Sequence, residues 1–376
     1  FLKSRYESKW VVLLSALSII IFLFSAMAAQ WVGGARLIES LTGLSYTTAL
    51  FIFAVSVLVY VIIGGFRAVA MTDAIQGTVM FIGTFILLIA TIVAGGGVSN
   101  IISELATENP NLITPFGAEG ELTPLYVSSF WILVGVGVVG LPQITVRAMS
   151  YKNAKAMHRA IIISTVFVGF IMLAMHLIGV FARVIIPGVE IGDKVMPLLT
   201  LHVLPAWLAG IVLTAPLAAI MSTVDSLLIL VSSSIVKDVY LNYIKPEATE
   251  KQIKTASFGV TTIIGILVFL MALSPPDLLI WLNLFSFGGL EAAFIWPVIL
   301  GLYWKKGNKY GAIASMIVGV GSYIVIHTYF GNLFGLHTVV VPVLLSCIVY
   351  VLTSLITNKT MGMKVDYGLS HQTKEV

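Results

Sequence analysis

LPAWLAGIVLTAPLAAIMSTVDSLLILVSSSIV, residues 204–236, is an apolar stretch in which Asp225 is the single ionisable residue. A hydrocarbon layer of roughly 30 Å is crossed by about 20 apolar residues in a helix, and by more when the helix tilts. The stretch therefore predicts a membrane-spanning helix. Working outward from it, nine further segments read the same way: 11–38, 47–63, 68–93, 127–144, 160–186, 258–273, 278–303, 310–330 and 338–356. Turn chemistry or charge marks the breaks, at Gly64-Gly65, Gly95-Gly96-Gly97, Pro187-Gly188, Lys245-Pro246, Pro275-Pro276 and Gly307-Asn308. The expected fold class is an all-α integral membrane protein with ten transmembrane helices.

The whole chain agrees with this stretch. Of its 376 residues 59% are apolar and 10% charged, where a soluble globular protein carries about 45–50% and about 25%. A mean hydropathy of +1.03 excludes a disordered chain, and with it a nucleic-acid partner; the lipid bilayer is the expected surroundings. Cys347 is the single cysteine, so disulfides and thiolate clusters are excluded. If odd-numbered helices run outward, 18 of the 21 Lys and Arg residues fall in the inner loops, leaving Arg36, Arg183 and Lys194 outside. This positive-inside bias places both termini in the cytoplasm. The outer segment from about residue 95 to 126 carries Glu104, Glu108, Glu119 and Glu121 without a cation, and reads as a loop with a short surface helix. Phe1 stands where an initiator Met is expected, and the basic lead before the first helix is not a signal peptide, so the start reads as a cut inside a longer protein.

Polar groups at membrane depth are costly and usually face a cavity or a partner. In residues 204–236, Pro216 frees the carbonyl of residue 212, and Ser222-Thr223 follows near the midpoint. Ser222, Asp225 and Ser226 share a face at i, i+3 and i+4. Hydroxyl and freed carbonyl oxygens can hold a small hard cation such as sodium. Equally, Ser and Thr can simply bond back to their own helix. Asp73, with Gln76 one turn on, is either an ion-pathway acid or an inner-leaflet partner of a basic group. Glu291 lies among small residues in Phe287-Gly288-Gly289-Leu290-Glu291-Ala292-Ala293, where helices approach closely. GVGVVGLPQITVR, residues 135–147, predicts a broken or kinked helix, the kind of discontinuity that exposes backbone dipoles to a substrate or ion. No i, i+4 histidine pair and no phosphate-binding glycine loop occurs, so an enzyme is not expected.

At residues 60–77 the chain reads YVIIGGFRAVAMTDAIQG, and at 215–223 APLAAIMST. Both resemble signatures of the sodium:solute symporter family. QWVGGARLIE from Gln30, SYKNAKAMHRAIII from Ser150 and LIWLNLFSFGGLEAAFIWPVILGLYW from Leu279 extend the resemblance along the chain, closest to the family's pantothenate-carrying members. The resemblance implies a LeuT-type fold of two inverted five-helix repeats, lacking here its first helices. On that plan residues 1–96 hold core helices three to five, 97–126 an extracytoplasmic loop, 127–304 the complete second repeat, 305–358 two peripheral helices and 359–376 a cytoplasmic tail. It further implies sodium ligands at the Ala219 carbonyl and the Ser222 and Thr223 hydroxyls, and an ion-coupling role for Asp73. Leu141-Pro142-Gln143 resembles a Gln-Pro-His pattern of proline-carrying relatives. Its departures at Leu141 and Gln143 argue against proline and leave Gln143, with Asp225 and Glu291, as substrate candidates.

The implied function is sodium-coupled import of a small organic anion, pantothenate foremost, across the bacterial inner membrane by alternating access. Sodium is then the co-transported ion. Another small carboxylate, a transporter-like sensory module and an inactive fragment are the competing expectations.

Overall fold

The structure, a computed structural model, describes residues 1–276 and 278–361, without the side chains of residues 60, 63–73 and 361. A single helical turn, Leu2–Tyr6, leads into α1 (Lys9–Thr42). There follow one long helix, Tyr46–Ala94, whose two apolar ends are labelled α2 (Tyr46–Val59) and α3 (Ala74–Ala94), and the short surface helix α4 (Val98–Glu108). Next come α5 (Pro124–Gly140) and α6 (Pro142–Ala148), then α7 (Ala154–Ile185) and the short α8 (Val195–Val203). The chain continues through α9 (Ala206–Ile244), α10 (Glu250–Ala272), α11 (Ile280–Tyr303), α12 (Lys309–Phe330) and α13 (Val340–Thr360).

Among the described residues, eight helices are long and apolar enough to cross a membrane: α1, α3, α7 and α9 to α13. The pair α5 and α6, bent by 50°, makes a ninth. The chain is a multi-pass membrane protein. The expected span 47–63 is represented by the shorter α2, and the break predicted after it at Gly64-Gly65 is absent: the helix runs on from Tyr46 to Ala94, since a glycine weakens a helix interior by only about 1 kcal/mol and does not stop it. The surface helix expected between 95 and 126 is α4.

Local chemistry sets several starts. Thr249 and Gln252 form a reciprocal capping box on α10, and the side chain of Asn308, the residue of the predicted Gly307-Asn308 break, accepts from the Tyr310 and Gly311 N–H groups. Helices in lipid gain little from apolar burial against one another, so close packing must hold them. Small residues supply it on α11. A Cβ on Gly289 would strike the Phe22 ring of α1, and one on Gly288 would lie 2.6 Å from the Tyr323 hydroxyl of α12. α11 is thus clasped between α1 and α12, and the rings of Phe22, Phe285 and Tyr323 pack tilted and edge-on around the contact. α7, by contrast, exposes Ile161, Ile162, Ile163, Val166 and Leu173, a lipid-facing surface.

Polar contacts gather at two opposite ends. At one, Lys3 donates to Asn242, Arg5 to the Gly301 carbonyl (2.6 Å), and Tyr350 to Tyr6, whose hydroxyl donates to the Pro297 carbonyl (2.7 Å). At the other, Arg36, Glu39, Asp193 and Lys194 meet the start of α11, and Tyr46 donates to the Ala272 carbonyl.

Candidate functional site

α9 carries the first cluster. Pro216 removes the partner of the Val212 carbonyl, and Gly83 of α3 closes on that point: a Cβ there would lie 3.4 Å from the carbonyl oxygen and 2.5 Å from Ala215 Cβ. One turn further on, the hydroxyls of Ser222 and Thr223 both donate to the Ala219 carbonyl at 3.0 Å. These are the back-bonds expected of hydroxyls in a membrane helix. They also gather three oxygens at one point, and a donated proton leaves each hydroxyl oxygen's lone pairs available to a cation. Such a hard-oxygen set suits a small hard ion and offers nothing to a soft metal.

Asp225 and Ser226 continue the same face. Asp225 is wholly buried. Ser226 accepts a 2.6 Å hydrogen bond from Arg147 Nη2, which ties the second half of the broken span to α9. Sequence reading placed Ser226 on this face but assigned Arg147 only to the inner loops.

The predicted break in residues 135–147 is present. α5 winds down through π-helical and 3-10 turns to Gly140, Leu141 is extended (φ −83°, ψ 115°), and α6 starts at Pro142. The Leu141 carbonyl takes the Ile144 and Thr145 N–H groups and the Thr145 hydroxyl. Gln143 sits in the first turn of α6, half-buried, and its Oε1 meets no donor among the described residues.

Glu291 faces this same break. It is wholly buried on α11, and its carboxyl lies where a Cβ on Gly137 would stand. A Cβ on Gly140 would come within 3.2 Å of Glu291 Cα. The structure thus brings Ser226 of α9 to Arg147 of α6, and Glu291 of α11 to the end of α5. The side chain of Asp73, on the long helix Tyr46–Ala94, lies outside what the structure describes. Gln76, one turn on, turns a buried Oε1 that likewise meets no donor among the described residues.

The polar network at the far end was not foreseen. Glu39 bridges Arg36 and Lys194 at 3.1 Å each, and Asp193 accepts from the Leu279 N–H (3.1 Å) just before α11. Burial pushes the Asp193 carboxyl up, while the Leu279 N–H and Arg36 pull it back. The available signal was that Arg36 and Lys194 are exceptions to the inner-loop bias, each with an acid three residues away or adjacent.

The model of the Sodium:solute symporter family matches residues 1–319. This chain belongs to that family. A similar relative is the sodium/pantothenate symporter of Haemophilus influenzae, 51% identical over 338 residues that make up 89% of this chain and 70% of the relative. The sodium/pantothenate symporter of Escherichia coli is 46% identical over 349 residues, 92% of this chain and 72% of its own. Among solved structures, a Na+-coupled sialic acid symporter in a substrate-bound outward-open state shares the fold at a TM-score of 0.77, with 20% identity, over 94% of this chain and 76% of that one.

Proposed function

We propose that this chain couples sodium entry to the uptake of pantothenate across the inner membrane. The identity of 51% and 46% to two symporters named for that substrate carries the proposal. The geometry supports it: an oxygen cluster suited to sodium on α9, and a broken span beside it with an unsatisfied amide oxygen at Gln143.

In this reading the Ala219 carbonyl and the Ser222 and Thr223 hydroxyls hold sodium, Asp73 takes part in ion coupling, and Gln143 contacts the amide or hydroxyl groups of pantothenate. Asp225 and Glu291, both closed off from solvent, act from behind those contacts. The topology is that of ten spans in a LeuT-type arrangement with core helices three to five, a complete second repeat and two peripheral helices. Both termini face the cytoplasm. In support, the loops expected inside, around residues 1–9, 242 and 301–309, meet at one end, and Arg36 and Lys194, expected outside, meet at the other. Sodium moving down a membrane potential supplies about 2.3 kcal/mol per charge per 100 mV. Rocking one bundle against the other then delivers both solutes inward.

The test is uptake of labelled pantothenate into proteoliposomes with an inward sodium gradient, and a potassium gradient as control, using this chain and the full-length protein. Sodium-dependent accumulation by the full-length protein supports the proposal. Accumulation that ignores sodium, or none despite correct insertion, rejects it.

A further inference from the structure

Glu291 has no exposed surface, and neither carboxyl oxygen has a hydrogen-bond partner among the described residues. Among the described residues, the elements around it bring no compensating charge to it. From α5, the carboxyl meets Gly137; the ionisable residue of that helix, Tyr126, is at its opposite end, edge-on to Phe130. α1 offers Phe22 at Gly289, and the stretch from Val11 to Ala35 has no ionisable side chain. α12 offers Gly319 at the Ala292 carbonyl and Tyr323 at Gly288; the Tyr323 hydroxyl donates to the Leu284 carbonyl, and His327 stacks on the Tyr323 ring from the next turn. α13 contributes Val343, which accepts from Trp296, and Ser346 beside Gly319. An ionised carboxylate with no cation in contact and no donor is the costliest group a membrane interior can hold. A metal ion in the same place would need several oxygens around it, whereas the carboxyl is pressed directly against the glycine backbone.

We propose that Glu291 is a proton-binding positioning residue: an un-ionised acid whose carboxyl is wedged against Gly137 while the α11 backbone at Glu291 and Ile295 lies on Gly140, so that its neutral bulk fixes where α5 ends and hence where the Gln143-bearing α6 begins. The proton stays on the carboxyl through the transport cycle. Alkaline solution removes it to hydroxide, forming water, and the carboxylate must then move toward water and pull α11 away from the break. The glycines follow from this arrangement, since any side chain at 137 would occupy the space of the carboxyl itself. The reading depends on the proposed transport function only where uptake is measured.

Infrared difference spectra of the purified full-length protein in lipid, wild type against E291Q, read the proton directly. The expected result is a carbonyl stretching band of an un-ionised acid at neutral pH, absent from E291Q and lost from wild type in alkali. Thermal stability should fall with rising pH in wild type and lack that alkaline limb in E291Q, which keeps the shape without the ionisable group. G137A should lower stability, and uptake by about tenfold or more, as overpacking does; in G137A/E291A much of the loss should return, because the carboxyl that clashed is gone. No acid band at neutral pH, a sodium-sensitive carboxylate band in its place, or an alkaline limb unchanged in E291Q overturns the proposal. The infrared and stability results decide it even if the wild type carries no pantothenate.

Discussion

α9 and α11 both bring oxygen-rich side chains to membrane depth, and they do it by opposite means. On α9 the cluster is local: Ala219, Ser222 and Thr223 meet because three and four residues are one helical turn, and each hydroxyl reaches the same carbonyl at 3.0 Å. On α11 the arrangement is tertiary: Glu291 is held by glycines at 137 and 140 that lie more than a hundred residues away in sequence. A local cluster can take a cation onto its hydroxyl and carbonyl oxygens by turning the hydroxyls, without moving a helix. A tertiary wedge fixes the relation between two helices, and its loss moves one of them. The two regions should therefore fail differently, α9 in ion affinity and α11 in shape.

The largest effect that sharpens this contrast is expected on α9. Thr223→Val removes one hydroxyl and keeps the β-branched shape, so the helix should insert and fold as before. A lost polar contact to a charged group costs about 1.5–3 kcal/mol, which corresponds to about 10- to 100-fold weaker sodium dependence. Sodium titration of uptake, or of sodium-induced thermal stabilisation, measures it. Ser222→Ala should act in the same direction. If both variants respond to sodium like wild type, the hydroxyls are back-bonds and nothing more.

A smaller effect is expected where the two regions are linked. Arg147 of α6 donates to Ser226 of α9 at 2.6 Å, one turn beyond the hydroxyl pair. Ser226→Ala leaves a charged donor with one contact fewer, and uptake should drop about threefold to tenfold, with substrate and sodium affinities shifting together. A change confined to sodium affinity would show that α6 and α9 are not coupled through this bond.

The sequence carried the local features well and the tertiary ones poorly. Spans such as α1, α9 and α12 are long apolar runs with readable boundaries, and Asn308 caps its helix where a turn was predicted. The break at Leu141 was legible because Gly135, Gly137, Gly140 and Pro142 leave no ordinary helix to build. The position of Glu291 against that break was not. Small neighbours announce close packing, but they do not say which helix comes close. The same limit applied to Arg147, which counted as a loop cation until the fold placed Ser226 beside it. Charge pairs such as Glu39 with Lys194 join segments whose meeting no periodicity encodes.

The smallest effect belongs to the wet end of α11, where a second carboxylate makes the comparison with Glu291 within one helix. Asp193 accepts from the Leu279 N–H at 3.1 Å and is pushed up by burial, against the pull of that N–H and of Arg36. The folded chain then holds the Asp193 proton more tightly than the unfolded chain does. Its contribution to stability is greatest below the ordinary aspartate value of about 3.9 and is lost as pH rises through the raised one. Asp193→Asn should remove that slope from a plot of thermal midpoint against pH, and because the group is only half-buried the change should stay under about 2 °C. A slope that survives in the Asn variant would assign it to another acid. A shift as large as the one expected at Glu291 would mean that water does not screen this end of the helix, and that the contrast between a wedge at membrane depth and a cap at its surface is not one of solvation.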